Sequence, residues 1–89
     1  MALEQTQLDR AVAMAKAFGA TRLILFGSAL QGLDRARDLD LACDGVDGWK
    51  LYELGAQLEE ALRVPVDLIP LSPPTRLTKI IEAQGRVLV

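Results

Sequence analysis

Three aspartates and one glycine–serine pair are the residues whose types and spacing could perform chemistry in this chain. Asp38 and Asp40 stand two residues apart in a segment that alternates polar and apolar side chains. In a β-strand such side chains project from the same face, so both carboxylates point one way while Leu39 enters the core. Two ionised carboxylates repel each other when they are close, which favours a divalent cation between them. Mg²⁺ prefers a few carboxylates completed by substrate phosphates.

Asp67 is a third acidic candidate. It lies inside the otherwise apolar run of residues 66–69, where a carboxylate is costly unless it has a partner or a function. If this segment lies beside the segment of Asp38 and Asp40, three carboxylates could support a two-metal site. One ion would then activate the attacking oxygen and the other would stabilise the leaving group. Catalysis would consist mostly of positioning and charge neutralisation.

A phosphate-binding turn is predicted at Gly27-Ser28, which directly follows the apolar run of residues 23–26. Glycine lets a ligand approach the backbone closely, and the Ser28 hydroxyl and neighbouring N–H groups can donate to phosphate oxygens. The polar stretch that follows contains Arg35 and Arg37. Either arginine could bind phosphates, although arginines in a surface loop are more often simply solvated.

Apolar residues at spacings of three and four predict three helices that position these groups. The first covers about residues 5–18 and ends at Gly19. The second begins near Trp49 with Asp47 as its N-cap. The third is short and has Ser72, which precedes two prolines, as its expected N-cap. The apolar residues of this third helix are Leu77, Ile80 and Ile81.

Short apolar or alternating runs predict strands over residues 23–26, 38–43, 66–69 and 87–89. The order of helices and strands indicates an α/β (α+β) fold, in which helices pack on a small mixed sheet of about four strands. We expect residues 1–89 to form a single domain, because the chain is near the small end of the usual domain size.

Composition excludes several classes of function. The 10 basic and 12 acidic residues are interspersed and give a net charge of −2, and the sequence contains no polybasic run. Direct binding to nucleic acids or to membranes is therefore not expected. The sequence has one cysteine and no histidine, which excludes a disulfide framework and a zinc cluster within it. Because Glu4 and Gln5 are polar at the place where a signal peptide would be apolar, and no apolar run could span a bilayer, we expect a cytoplasmic protein.

The order of these motifs is more specific than any one of them. Residues 25–28, Gly32 and residues 38–41 resemble the signature of the DNA polymerase β-like nucleotidyltransferase superfamily. They are most similar to its smallest branch, the minimal nucleotidyltransferase (MNT) proteins. The similarity continues through residues 66–69 and 80–88, so that it covers nearly the whole chain. Two positions differ: Ala29 stands where the family usually has arginine, and Arg37 stands where a serine commonly precedes the Asp-x-Asp.

The resemblance implies Mg²⁺-dependent transfer of a nucleoside monophosphate, foremost AMP from ATP, to a hydroxyl acceptor. It implies Asp38, Asp40 and Asp67 as catalytic and metal-binding residues, and Gly27 and Ser28 as the triphosphate-binding turn. MNT proteins often act as antitoxins of HEPN-domain toxins, in some cases by transferring AMP to a tyrosine of the toxin. We therefore expect a HEPN-type partner that supplies the acceptor, within a homo- or hetero-oligomer.

Two other functions stay open at this point. The chain could be a binding module with a silent acidic cluster that neutralises its partner by contact alone. It could also be a catalytic subunit that needs another chain to modify a small molecule. Leu30 and Leu33 interrupt the polar loop and would form an interface if exposed, or pack beneath the loop. Trp49 and Tyr52 are expected in core packing or partner contact rather than in base stacking.

Overall fold

The computed structural model describes residues 3–89, and its helices and strands occur in the predicted order. The three helices are α1 (Gln5–Ala17), α2 (Gly48–Leu62) and α3 (Arg76–Gln84). The four strands are β1 (Arg22–Phe26), β2 (Leu39–Asp44), β3 (Val66–Pro70) and β4 (Arg86–Val87). Two short 3₁₀ helices, Gly27–Gln31 and Leu33–Arg35, occupy the polar loop between β1 and β2.

The four strands form one mixed sheet in the order β3-β2-β1-β4. β1 is antiparallel to both β2 and β4, whereas β2 and β3 are parallel. Parallel neighbours need a crossover connection, and α2 provides it. The predicted fold class is therefore confirmed, and β3 and β4 are the edge strands.

The main core lies between one face of the sheet and the helices α1 and α2. β2 supplies Leu39, Leu41 and Cys43 to this core, as its alternating pattern predicts. The helices contribute Leu8, Ala11, Ala15, Leu54, Leu58 and Leu62. In residues 3–89 no helix combines the length and the apolar character needed to cross a membrane.

The opposite face of the sheet carries a smaller apolar cluster beneath α3. Its buried members are Ile24, Ala42, Leu71 and Ile81, with Phe26 and Ile69 packed partly buried against them. Of the three apolar residues predicted for α3, only Ile81 is buried, while Leu77 and Ile80 are 53% and 49% exposed. A short helix thus covers only part of this face.

The N-cap of α3 is Thr75, so the prediction of Ser72 was wrong by three residues. The Thr75 side chain accepts a hydrogen bond from the Thr78 N–H (3.2 Å), and the Thr78 hydroxyl accepts one from the Thr75 N–H (2.7 Å). These reciprocal bonds satisfy two backbone donors at the start of the helix. Ser72 and the prolines lie in the segment that leads into the helix. Asp47 is the N-cap of α2 as predicted, although its side chain makes no capping hydrogen bond.

Replacing Thr75 by alanine should lower the free energy of unfolding by about 1 kcal/mol, because an N-cap hydrogen bond is lost. In a domain of this size that loss corresponds to a fall in Tm of roughly 4–8 °C. Thr75→Ser should keep most of the stability, and Ser72→Ala should leave the Tm unchanged. Thermal denaturation of the three variants tests this, and an equal effect of Ser72→Ala would contradict it.

Candidate active site

Asp40 is the second residue of β2 and lies between two neighbours in register. It pairs with Phe26 of β1 on one side and with Asp67 of β3 on the other. Registered side chains of adjacent strands project from the same face, and such strands are about 4.8 Å apart. Asp40 and Asp67 therefore lie side by side on the sheet face opposite the main core. The strand arrangement on which the three-carboxylate hypothesis depends is present.

Asp38 lies in a bend directly before β2 and is exposed. The prediction that the strand begins at residue 38 was thus wrong by one residue. Burial raises the pKa of Asp40, and the charges of Asp67 and then Asp38 raise it further. Asp67 and Asp38 thus both act on the charge of Asp40. This repulsion is the condition that a bound cation would relieve.

Gly27 brings the glycine–serine turn into contact with the carboxylates. Its φ of +76° lies in the left-handed region, and a Cβ at this position would lie 2.9 Å from Cγ of Asp40 and 3.1 Å from its Cβ. Only a glycine leaves room for Asp40 to rest against the backbone here. Ser28 follows within the first 3₁₀ helix and is exposed. Two motifs that are distant in sequence therefore meet at one point.

The predicted arginines are less closely tied to the site. Arg35 ends the second 3₁₀ helix and Arg37 directly precedes Asp38, and both are exposed. Within residues 3–89 the structure contains one ion pair, Arg22–Glu82 at 2.9 Å, so neither arginine is paired with the carboxylates. Ala29, where the resembling family usually has arginine, is buried in the main core. Its side chain therefore serves packing.

The residues at the site supply hard oxygen donors only. In the described part of the chain, no three Asp, Glu or Cys side chains are grouped closely enough to hold a metal ion by themselves. Mg²⁺ is usually held by one or two carboxylates together with waters and substrate phosphates. The Asp40–Asp67 pair, with Asp38 nearby, fits this mode of binding. It suits a metal that arrives with a nucleotide better than a metal held by protein ligands alone.

A groove between α2 and β3 was not predicted from the sequence. Its volume is about 680 Å³, and its lining runs from Tyr52 on α2 to Asp67 at the carboxylates. Gly55 of α2 faces Leu68 of β3 across the groove, and a Cβ at Gly55 would make an ordinary van der Waals contact, 3.9 Å from Cβ of Leu68. The adjacent small residues Gly55 and Ala56 are the signal in the sequence that could have indicated this groove.

The structure also decides between the interpretations of the aromatic and loop residues. Trp49 and Tyr52 are 71% and 84% exposed, which excludes core packing. Leu30 is exposed at the loop surface, whereas Leu33 is partly buried and packs against the main core. Of the two alternatives predicted for these leucines, Leu30 therefore fits exposure at a surface and Leu33 fits packing beneath the loop.

Comparison with known proteins identifies the architecture. No protein-family model and no curated protein sequence matches the chain. A solved structure of a candidate minimal nucleotidyltransferase is 27% identical and superposes with a TM-score of 0.72, over 91% of this chain and 88% of that one. The chain has the minimal nucleotidyltransferase fold.

Two toxin–antitoxin structures show the same MNT fold. One is the complex of the tri-AMPylated HEPN toxin of Shewanella oneidensis with its MNT antitoxin, with a TM-score of 0.76 and 23% identity over 96% of this chain and 71% of that one. The other is a toxin–antitoxin structure with AMP-PNP, with a TM-score of 0.76 and 24% identity over 98% of this chain and 73% of that one.

The raised pKa of Asp40 predicts a dependence of stability on pH in metal-free buffer. Between the ordinary aspartate pKa and the raised one, the folded state binds more protons than the unfolded state, so stability falls as pH rises through this window. Asp40→Asn removes the buried charge and should raise the Tm at neutral pH. The gain should vanish as the pH falls below the ordinary aspartate pKa.

Thermal melts across the acidic range in the presence of a chelator test this prediction. Asp9→Asn, at an exposed position on α1, is the matched control and should change the Tm little at any pH. If the Tm of Asp40→Asn at neutral pH is equal to or below that of the wild type, the ionised Asp40 carboxylate does not destabilise the folded state.

Gly27→Ala should be more destabilising than Gly48→Ala. Both glycines have a positive φ, but a Cβ at Gly48 would meet no atom within 4 Å, whereas a Cβ at Gly27 would displace Asp40. Gly48→Ala should therefore cost only the backbone term of about 1–2 kcal/mol. Denaturant unfolding of both variants measures the difference, and equal losses would show that Asp40 moves aside without cost.

Proposed function

We propose that this protein is a nucleotidyltransferase that transfers AMP from ATP, bound with Mg²⁺, to a hydroxyl group of a protein partner. The observation that carries this proposal is the contact of Gly27 with Asp40, while Asp67 pairs with Asp40 in register. A turn suited to phosphates and the Asp40–Asp67 pair of carboxylates thus meet on an open sheet face. That is the pair of features that nucleotidyl transfer requires.

The partner we propose is a HEPN-type toxin, which this protein would act on as antitoxin in the cytoplasm. The proposal is supported by the structural neighbours, one of which is an MNT antitoxin in complex with a tri-AMPylated HEPN toxin. A second neighbour is a toxin–antitoxin structure with AMP-PNP, an analogue of ATP. Both share the MNT fold with this chain, and the carboxylates and the glycine–serine turn described above are the groups that the reaction would use.

In the proposed reaction the acceptor oxygen forms a bond to the α-phosphorus of ATP as the bond to pyrophosphate breaks. The Ser28 hydroxyl and the backbone N–H groups beside Gly27 would donate hydrogen bonds to the phosphate oxygens. Asp38, Asp40 and Asp67 would hold Mg²⁺, which when bound neutralises charge on the triphosphate. The proton of the acceptor hydroxyl would pass to a carboxylate of this cluster.

One observation favours a second function, in which the protein neutralises its partner by contact alone. Ala29 is buried in the core at the position where the family usually has arginine, so one expected phosphate ligand is missing. Leu30 beside it is exposed and could contact a partner. A contact-only antitoxin would tolerate replacement of the carboxylates, whereas an enzyme would not.

ATP should stabilise the wild-type protein only when Mg²⁺ is present. At about a hundred times the dissociation constant, the free energy of unfolding should rise by roughly 2.7 kcal/mol. The double variant Asp38→Asn/Asp40→Asn should fold but show no such increase. Thermal denaturation with ATP and Mg²⁺, with ATP and a chelator, and with Mg²⁺ alone separates stabilisation by the nucleotide from stabilisation by the metal. An identical shift in the double variant would refute the assignment of the carboxylates.

The transfer itself is tested by intact-mass measurement of a HEPN-type partner after incubation with ATP and Mg²⁺. Wild-type protein should add one or more AMP units to the partner, and the double variant should add none. A partner that is neutralised equally by both proteins, without a mass change, would establish the contact-only function instead.

A further inference from the structure

The groove between α2 and β3, called the α2–β3 groove below, has acidic side chains along its rim. Asp44, Asp47, Glu59 and Asp67 all line it, and no lysine or arginine does so among residues 3–89. Four carboxylates with no lysine or arginine among the lining residues favour a negative potential within the groove. Tyr52, which is 84% exposed, stands on the same rim and offers an aromatic contact.

The floor of the groove presents unpaired backbone groups of an edge strand. The Leu39 N–H donates to the Pro65 carbonyl, and the Leu71 N–H donates to the Cys43 carbonyl. In β3 the N–H and C=O groups of the odd-numbered residues therefore face β2. The peptide groups of Val66 and Leu68 therefore face outward. The N–H and C=O of Leu68 are then available to a ligand lying along the edge.

Both ends of this edge are closed. Near its start, the Val66 N–H donates to Oε2 of Glu59 at 2.9 Å, and at its end Pro70 has no N–H to donate. Such features keep an edge strand from pairing along its whole length with a strand of another chain. The unpaired backbone groups are thus confined to the middle of β3. The whole strand has five residues and is about 17 Å long. It suits a short extended peptide rather than a whole sheet.

We propose that the α2–β3 groove binds a short extended segment of a protein partner that carries lysine or arginine side chains. The backbone of the segment would bond to Leu68, and its cations would face the acidic rim. Asp67 lines the groove and pairs in register with Asp40, so a hydroxyl residue of the bound segment would be presented to the candidate active site. This last step rests on the proposed function, whereas the binding itself does not.

The binding is tested on the ¹⁵N-labelled full chain without nucleotide, using two synthetic peptides. One alternates lysine and valine around a central tyrosine, and the other has glutamate in place of lysine. The lysine peptide should shift the amide signals of Leu68, Gly55 and Tyr52 and bind at least about tenfold more tightly than the glutamate peptide, with an affinity that falls as salt rises. Equal binding of both peptides, or shifts confined to other surfaces, would overturn the proposal.

A pair of triple variants separates the groove from the overall charge. Asp44→Asn/Asp47→Asn/Glu59→Gln removes three charges from the rim and keeps an oxygen acceptor for the Val66 N–H. Asp9→Asn/Glu53→Gln/Glu60→Gln removes three charges from exposed positions outside the groove. The first variant should lose about tenfold or more in affinity for the lysine peptide and the second less than about threefold. Equal losses would overturn the proposal.

Failure of the docking proposal can be told apart from failure of the proposed function. The variant Asp38→Asn/Asp40→Asn keeps the rim residues and should bind the lysine peptide like the wild type. If peptide binding persists while ATP with Mg²⁺ never stabilises the protein, the groove is a docking site and nucleotidyl transfer is refuted. If ATP stabilises the protein but the lysine peptide does not bind, the docking proposal is refuted alone.

Discussion

The register of β2 between its two neighbours is the constraint on which the candidate site depends. Leu39, Leu41 and Cys43 are buried beneath α1 and α2, and a slip of one residue would turn them outward and the aspartate inward. The burial of three apolar side chains therefore holds Asp40 on the opposite face. The same register places Asp67 beside it and brings Gly27, which follows β1, against its side chain. Packing on one face thus determines the electrostatics of the other.

The opposite face is open because α3 is short and covers only part of it. Ile24, Ala42 and Ile81 are buried there, while Asp40 is half-buried and Asp67 is exposed at the free side of the sheet. A longer helix across this face would shield the carboxylates from any ligand. The carboxylates themselves have a cost in stability, because burial of Asp40 and the charges of Asp67 and Asp38 disfavour its ionised form and raise its pKa. A ligand that carries a cation would relieve that repulsion. The same carboxylates therefore cause both the loss of stability and the proposed function.

Acidic residues also line the groove at the β3 edge, so that the candidate site and the groove form one negative surface from Asp67 to Asp47. The two parts have different geometry. At the sheet face the carboxylates lie close together beside a glycine turn, which suits a metal–phosphate group. Along the groove they are spread out above the backbone of Leu68, which suits separate cationic side chains of an extended peptide.

The sequence by itself determined the elements and the identity of the candidate residues. Periodicity is a local property, and it predicted all seven helices and strands to within a few residues. The glycine–serine turn and Asp38, Asp40 and Asp67 were likewise chosen from residue type and spacing. The N-cap at Thr75 rather than Ser72 was missed because both residues are good caps, and only the reciprocal bonds with Thr78 distinguish them.

Tertiary structure alone decided which segments became neighbours. The pairing of Asp67 with Asp40 requires a parallel register across a crossover helix, and no local pattern specifies that register. The exposure of Leu77 and Ile80 depends on how α3 packs on the sheet, and the groove depends on how α2 packs beside β3. These features arise from long-range packing, in which distant residues compete for the same core surface. Local periodicity indicates that a residue has an apolar face but does not say which surface will cover it.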